Sequence, residues 1–296
     1  MRLRRISLFD IFNYFLLTVF VITIIYPFWD MLIRSLSTPI DAMKLGFYIL
    51  PRLKDLTFDS YAIVFTGGQI GWGYYNTTFR AVVGTVLMII VTMAAAYPLS
   101  KKHLPYRRGI TIYMVITMFF AGGMIPSYLL INWMGLIDSR WALVLPTLAA
   151  VFNILLVRNY IMAVVDRSLE ESAEIDGASD FTILVRIVTP LCKPAIATIG
   201  LWSIVGHWNA WFDAMLYINS QTKEVLQLML RKIMIENAQG PMDRYRDMAL
   251  SMTRKQYAPD SLKAAFLYLT ILPILLVYPF LQKYFIKGIM LGAIKG

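Results

Sequence analysis

The chain has 296 residues, of which 58% are hydrophobic and only 16% are charged. Soluble domains typically hold about 45–50% apolar and about 25% charged residues, so this chain lacks the polar residues to cover a soluble surface. The composition argues against a soluble enzyme, a disordered tail or a secreted disulfide scaffold, and indicates an integral membrane protein. The net charge of +10 fits basic residues beside a cytoplasmic membrane surface better than a nucleic-acid partner.

No motif in the sequence indicates that this chain catalyses a reaction or binds a metal ion. The single cysteine, Cys192, allows no intrachain disulfide, and no group of His and Cys has metal-ligand spacing. The sequence contains no G-x-x-x-x-G-K-[ST] motif, so ATP-driven work would have to be powered by another chain. We therefore predict no catalytic residue, no metal site and no enzymatic activity.

Long apolar segments predict the fold class. A helix needs about 20 mostly apolar residues to cross the hydrocarbon core of a membrane. Interior prolines do not exclude such spans, because neighbouring helices can satisfy the carbonyls that a proline frees. We expect an all-α integral membrane protein with a single domain over 1–296 and six transmembrane helices, over about 11–32, 78–99, 110–131, 141–165, 195–218 and 264–285.

The lysines and arginines of the short loops predict the orientation. Three arginines precede span one, and four basic residues lie between spans two and three, whereas Arg140 is the only one between spans three and four. This asymmetry places both termini in the cytoplasm. The loops over about 34–77 and over 219–263 are then extracytoplasmic, and the loop 166–194 is cytoplasmic.

The cytoplasmic loop 166–194 predicts two short helices. Ser168 and Glu171 have the spacing of a capping box, so we expect the first helix to begin near Leu169, and Gly177 is a natural helix stop. A second helix is expected over about 180–188. One face of the first helix is small and mildly apolar, made by Leu169, Ser172, Ala173 and Asp176. The loop is therefore either a solvated connector or a projection that inserts into a partner's groove and transmits force.

The residues of this loop carry a family resemblance. The run E-S-A-E-I-D-G-A at 171–178, followed by I-V-T-P at 187–190, resembles the EAA signature of bacterial ABC-importer permeases, E-A-A-x-x-x-G and then I-x-L-P. Ser172 and Thr189 depart from that signature. The stretch 124–146, the Trp208-Asn209 pair and the tail 287–296 also look like carbohydrate-uptake permeases of the maltose-permease-like group, above all its lipoprotein-associated and alginate-type branch.

The resemblance implies a type I ABC-importer permease in a bacterial inner membrane. Such a subunit pairs with a second related permease, and each of the two docks one ATPase subunit. A substrate-binding protein delivers an oligosaccharide at the extracytoplasmic face. This chain would then bind no cofactor, because ATP and Mg²⁺ belong to the ATPase subunits. By the same resemblance, a cytoplasmic coupling helix would seat in the ATPase through Glu171, Ser172, Ala173, Asp176, Gly177 and Ala178.

Span five carries the candidate substrate pathway. An ionisable residue within a span usually faces a cavity or a partner, and Asp213 shares a helix face with Trp202 and Asn209. Aromatic rings stack on the C–H faces of sugars, and polar side chains bond to their hydroxyls. The alternative is an interfacial belt of tryptophans. The candidates are Trp202, Trp208, Asn209, Trp211 and Asp213.

Several functions remain open at this point. The outer loop 219–263 has eight basic and five acidic residues, so it is either a solvated surface or a docking platform suited to an acidic oligosaccharide, such as one derived from alginate or pectin. The permease could instead carry a non-sugar solute such as a polyamine or a glycerol phosphate. A different class, a stand-alone ion-coupled carrier, commonly shows inverted repeats, and no repeat between the two halves is evident.

Overall fold

A computed structural model describes residues 7–37, 56–120, 122–235 and 260–276. These residues fall within two compact units, Met1–Ile70 with Leu230–Leu272 and Gly71–Met229 with Pro273–Gly296. Apart from an isolated β-bridge between Ser37 and Leu56, the regular structure of the described residues is helical. The predicted all-α class is therefore confirmed.

The first unit contains the N-terminal helix α1 (Leu8–Ser35), the short helix α2 (Asp59–Thr66) and the helical residues 260–272, the first part of a helix that continues to residue 276. Ser7 begins α1 with a capping box, in which its hydroxyl accepts from the Asp10 amide and the Asp10 carboxylate accepts from the Ser7 amide. Hydroxyl hydrogen bonds tie the helices together, from Tyr268 to the Phe28 carbonyl and between Ser35 and Tyr61. Most large apolar side chains of α1 are exposed, which suits a lipid environment.

The second unit contains most of the remaining helices, linked by short turns. Helix α3 begins just before it and α12 ends just after it. In chain order the helices are α3 (Gln69–Ser100), α4 (Arg107–Phe119), α5 (Met124–Trp133), α6 (Val151–Val164), α7 (Arg167–Ile175), α8 (Asp180–Ile183), α9 (Thr189–Leu191), α10 (Lys193–Asn209), α11 (Phe212–Tyr217) and α12 (Leu226–Ile235). A π-helical turn, Leu184–Val188, joins α8 to α9, and 3₁₀ turns lie at Arg140–Leu143, Leu145–Thr147 and Gln221–Lys223.

Two described helices, α1 and α3, are long and apolar enough to cross a membrane unaided. Three bent pairs also qualify if each is one span: α4 with α5, bent by 110°; Arg140–Thr147 with α6, by 46°; and Asp180–Leu191 with α10, by 81°. The first two predicted spans lie inside α1 and α3. The predicted sixth span runs beyond residue 276, outside the described residues, so the count of six stays a prediction.

Two breaks in the predicted spans have different causes. Between α4 and α5, Gly123 has a φ of +85°, a conformation that glycine adopts at little cost and that stops a helix. The predicted span over 195–218 is interrupted as well: α10 ends at Asn209, Ala210 is extended, and α11 restarts at Phe212. A buried arginine, Arg80, donates to the Ala210 carbonyl at 3.2 Å, which satisfies an acceptor that the break leaves outside a helix.

The core of the second unit holds the 166–194 segment against the long helices. Its buried cluster combines α3 (Met88, Met93, Ala96, Tyr97, Leu99), α6 (Ile154, Val157, Ile161) and the stretch 183–199 (Ile183, Val188, Cys192, Ile199). Because α3 and α6 contribute to one cluster with the residues after α7, the segment is part of the packed body and not a detached connector.

Candidate coupling loop and membrane cavity

Helix α7 begins at an aspartate cap. The Asp166 carboxylate accepts from the Ser168 amide at 3.0 Å, and this hydrogen bond lowers the pKa of Asp166, so the cap is charged at neutral pH. The predicted capping box at Ser168 is therefore wrong, and the helix begins at Arg167, two residues before the predicted start. Glu171 pairs instead with Arg167, at 2.7 Å.

Helix α7 ends as the sequence predicts. Gly177 has a φ of +81°, its amide donates to the Glu174 carbonyl, and the Ala178 amide donates to the Ala173 carbonyl at 2.9 Å. These two bonds form a Schellman motif, which needs a left-handed residue at the position of Gly177. A Cβ on Gly177 would meet nothing within 4 Å, so the requirement is one of backbone conformation and not of space.

The six residues assigned to the coupling helix divide between two faces. Ala173 and Ala178 are partly buried and pack against the core cluster of α3 and α6. The others are exposed, as are three large apolar side chains of this segment, two of which the sequence reading did not select. The exposed set is Glu171, Ser172, Asp176 and Gly177, with Leu169, Ile175 and Phe181. Three large exposed apolar side chains within 13 residues of the chain suit an interaction surface.

An ion pair that the sequence did not reveal ties α7 to α3. Glu170, in the first turn of α7, binds Lys101, the residue that follows α3, and their side chains are only 11% and 13% exposed. Lys101 also lies 4.3 Å from the centre of the Tyr97 ring. Burial lowers the pKa of Lys101, but the hydrogen bond to Glu170 and the contact with Tyr97 raise it, with a net increase. The lysine therefore stays charged at physiological pH.

A second place of interest is a cavity of about 280 Å³ between α3, α6 and α10. Trp202 and Asp213, two of the predicted pathway residues, line it; the Trp202 ring lies 6.1 Å from Phe152. The other three predicted residues are not among its lining: Trp208 is buried, Asn209 is exposed and Trp211 is partly exposed. The remaining lining residues are Arg80, Met88, Thr147, Ala150, Asn153, Ser203, Gly206, His207 and Ala210.

Arg80 is a buried charged residue of this cavity that the sequence analysis did not select. Its side chain is 1% exposed and pairs with Asp213 through Nη2–Oδ2 at 2.5 Å and Nη1–Oδ1 at 3.2 Å. A charge inside a predicted span needs an opposite charge nearby, so Arg80 within the predicted span over 78–99 was a signal for an acidic partner.

Close packing of α3 on α10 forms one wall of the cavity. A Cβ on Gly84 would lie 2.5 Å from Nε2 of His207, so only a glycine admits the buried imidazole at this point. The next residue of α3, Thr85, donates its hydroxyl hydrogen to the hydroxyl of Ser203 at 3.0 Å, and Ser203 lies one turn before His207 in α10. The two helices are therefore held in one register by a steric fit and a hydrogen bond.

The first residues of the loop 219–263 are clamped to the body of the second unit. The Asp138 carboxylate accepts from the amides of Asn219 and Ser220, from the Ser220 hydroxyl and from Lys223 at 2.8 Å. Burial raises the pKa of Asp138, but Lys223 and the Ser220 and Asn219 donors lower it well below its usual range. Residues 236–259 of this predicted docking platform lie outside the described residues.

Asn76 extends this clamp to α3. Its amide donates to the carbonyls of Thr222 and Glu224, both at 2.9 Å, while its oxygen accepts from Arg140 at 2.7 Å. The predicted outer loop therefore leaves the body from a fixed point.

The sequence matches the family profile of a "Binding-protein-dependent transport system inner membrane component" over residues 63–291. It is 37% identical over 291 residues to the polygalacturonan/rhamnogalacturonan transport system permease protein YtcP of Bacillus subtilis (strain 168), covering 98% of this chain and 99% of the relative. It is 39% identical over 289 residues to protein LplC of the same organism, covering 97% and 95%.

A solved structure is similar throughout. A chain in the crystal structure of a bacterial ABC transporter involved in the import of the acidic polysaccharide alginate superposes with a TM-score of 0.87 and 32% sequence identity. The match covers 96% of this chain and 99% of that chain.

Proposed function

Because the chain belongs to the family of binding-protein-dependent transport system inner membrane components, we propose that it forms half of the translocation pathway for an oligosaccharide. Members of this family are non-catalytic membrane subunits of ABC importers, so ATP is hydrolysed by other chains. The full-length similarity to the alginate transporter chain, at 32% identity and a TM-score of 0.87, carries the assignment of the substrate class.

The substrate that we propose is an acidic oligosaccharide. The permease YtcP is named for polygalacturonan and rhamnogalacturonan, and the similar solved transporter is involved in the import of an acidic polysaccharide. Polygalacturonan is itself a polymer of a sugar acid, so the two comparisons agree in substrate chemistry. The positive excess of the loop 219–263 is consistent with such a cargo.

The partners that we propose are a second, related permease, two ATPase subunits that bind ATP and Mg²⁺, and an extracytoplasmic substrate-binding protein. Six spans with both termini in the bacterial cytoplasm would place the segment 166–194 beside the ATPase. Helix α7, hereafter the coupling helix, then docks through its exposed face, which carries Glu171 and Ser172, and through the turn that ends it, Asp176 and Gly177. Ala173 and Ala178 support that face from beneath.

The route that we propose for the sugar passes the cavity between α3 and α10. Trp202 is 40% exposed, enough to offer a ring face to a sugar. Ser203 and Asn153 add polar groups, and the Arg80–Asp213 pair brings two charges that offset each other. Roles for Trp208, Asn209 and Trp211 stay predictions, and the buried ring of Trp208 would act by packing.

Purification and uptake test this function together. A tagged chain is purified from native membranes in mild detergent, and the co-purifying chains are identified by mass spectrometry. We expect a second permease and an ATPase. Membrane vesicles supplied with the binding protein should take up radiolabelled oligogalacturonate in an ATP-dependent manner.

Two results would contradict the proposal. Recovery of the chain alone, under conditions that preserve known importers, would favour a stand-alone carrier. Uptake of a polyamine or a glycerol phosphate in place of every sugar tested would keep the importer but remove the substrate class.

A further inference from the structure

We propose that the Lys101–Glu170 ion pair is a positioning contact that makes α3 transmit movements of the coupling helix to the membrane cavity. The inference rests on the proposed function, since it requires an ATPase docked on the coupling helix. The inference adds that α3 carries movement to the cavity, which the motif in the segment 166–194 does not indicate.

The pair joins two helix ends of opposite polarity. Lys101 lies at the C-terminal end of α3, where the helix dipole favours a cation, and Glu170 lies in the first turn of the coupling helix, where it favours an anion. Both side chains are nearly buried. Because an uncompensated buried charge is unfavourable, the two helix ends are held together more strongly than by a solvated pair.

The surroundings of the pair fix its position. Tyr97, one turn earlier in α3, lies under the Lys101 ammonium and belongs to the core cluster. The Arg107 guanidinium donates to the Leu99 carbonyl at 2.8 Å, which satisfies an acceptor at the open end of α3. Ala173 packs on the same cluster. The coupling helix therefore contacts α3 through the ion pair and packs on the core cluster to which α3 contributes.

The same α3 reaches the cavity in its middle part, at residues 80–88. Positions 80 and 101 are 21 residues apart, which corresponds to about 32 Å along an α-helix. Arg80 binds Asp213, Gly84 admits His207 and Thr85 bonds to Ser203, so α3 contacts the cavity at three successive points. A displacement applied at Lys101 is thus delivered to residues that line the cavity.

The direct route along the chain is less rigid. From the coupling helix to α10 it passes through a π-helical turn, Leu184–Val188, and an 81° bend between Asp180–Leu191 and α10. By contrast, α3 is one helix from Gln69 to Ser100, and its interior proline, Pro98, lies in the last turn, beyond the cavity contacts. The arrangement favours α3 as the stiffer connection between the ATPase side and the cavity.

An exposed ion pair on the coupling helix shows what a contact without this role looks like. Arg167 and Glu171 pair across one turn of the same helix, with side chains 75% and 55% exposed, so this ion pair does not link two helices. Such a pair contributes little. The Lys101–Glu170 pair differs from the Arg167–Glu171 pair in two ways: it is nearly buried, and it links two helices.

Cavity accessibility provides a readout that does not depend on the sugar. Thr147→Cys places a thiol on an exposed lining position, while the native Cys192 is buried and should react slowly. The assembled importer in proteoliposomes is labelled with a membrane-impermeant maleimide, with and without Mg-ATP and vanadate. We expect trapping of the nucleotide to change the labelling rate severalfold in the parent.

Lys101→Ala and Glu170→Gln should lose most of that change while the ATPase remains bound and hydrolyses ATP. The conservative Lys101→Arg, which keeps a cation at the end of α3, should retain it. Arg34→Ala breaks an ion pair within α1, at 2.7 Å from Asp30, and serves as the matched control with the parental response.

The outcomes separate this inference from the proposed function. A full parental response in both single variants would overturn the role of the pair. If Lys101→Ala and Glu170→Gln do not assemble, Lys101→Arg decides: assembly with a parental response supports the role, and assembly without one contradicts it. If the parent itself binds no ATPase and shows no nucleotide response, the proposed function fails first.

Discussion

Arg80 of α3 and Asp213 of α11 form a two-bonded ion pair in which the arginine is 1% exposed and the aspartate 27%. This difference in exposure matters for stability, because removing one partner leaves the charge of the other unpaired. A stranded Arg80 would be buried, whereas a stranded Asp213 would keep some contact with the cavity.

We therefore expect Asp213→Ala to destabilise the protein more than Arg80→Ala. Breaking a buried pair from one side costs about 3–5 kcal/mol, and we expect Asp213→Ala near that range. Thermal unfolding in detergent measures the order of the two variants. The combined Arg80→Met and Asp213→Leu variant should recover part of the loss; equal loss in both single variants would contradict the asymmetry.

Gly84→Ala should force α3 and α10 apart. The new Cβ would lie 2.5 Å from Nε2 of His207, and overpacking of this kind costs about 1–3 kcal/mol. Gly71→Ala, on the same helix but with nothing within 4 Å, is the control and should be nearly neutral. Adding His207→Ala should rescue Gly84→Ala in the same unfolding assay, and a failure to rescue would show that the clash lies elsewhere.

Gly177→Val should separate ATP hydrolysis from transport. A left-handed backbone costs an ordinary residue about 1–2 kcal/mol, so the Schellman motif should open and turn the coupling helix away from the ATPase. The ratio of sugar taken up to ATP hydrolysed measures this effect, with correct membrane insertion checked separately. Gly177→Asn should be milder because asparagine tolerates this conformation, and a normal ratio in the valine variant would exclude the assigned role.

The Asp138 clamp should depend on pH with a definite sign. The folded pKa of Asp138 is depressed below the unfolded value of about 3.9, so its stabilisation is fully present above that value and is lost as the pH falls through the folded pKa. Asp138→Asn should therefore increase amide exchange in residues 219–226 at neutral pH. The difference from the parent should shrink below about pH 4, and a difference that persists unchanged there would contradict this explanation.

The features that the sequence predicts correctly are those determined by neighbouring residues, such as long apolar helices and a helix end. The apolar runs of α1 and α3 are long enough to be recognised, and Gly177 marks a helix end because its conformation is unusual for other residues. The cap at Asp166 was missed because two acceptors, Asp166 and Ser168, stood close together. Local patterns alone could not choose between them.

Contacts between residues far apart in the sequence could not be predicted from local patterns. Lys101 and Glu170 are 69 positions apart, and Arg80 and Asp213 are 133 apart, so nothing periodic connects them. The break at Ala210 has the same origin. Its carbonyl is satisfied by Arg80, from another helix, which a reading of hydropathy along span five does not include.

The division of the coupling helix into an inner and an outer face has a consequence for partner choice. Ala173 and Ala178 are partly buried against the core cluster, so enlarging either would disturb the body of the permease. Ser172, Ile175 and Phe181 touch solvent, and changes there leave the packing intact. The identity of the accepted ATPase could thus be rewritten on one surface of a nine-residue helix and its neighbours, without re-engineering the channel that it drives.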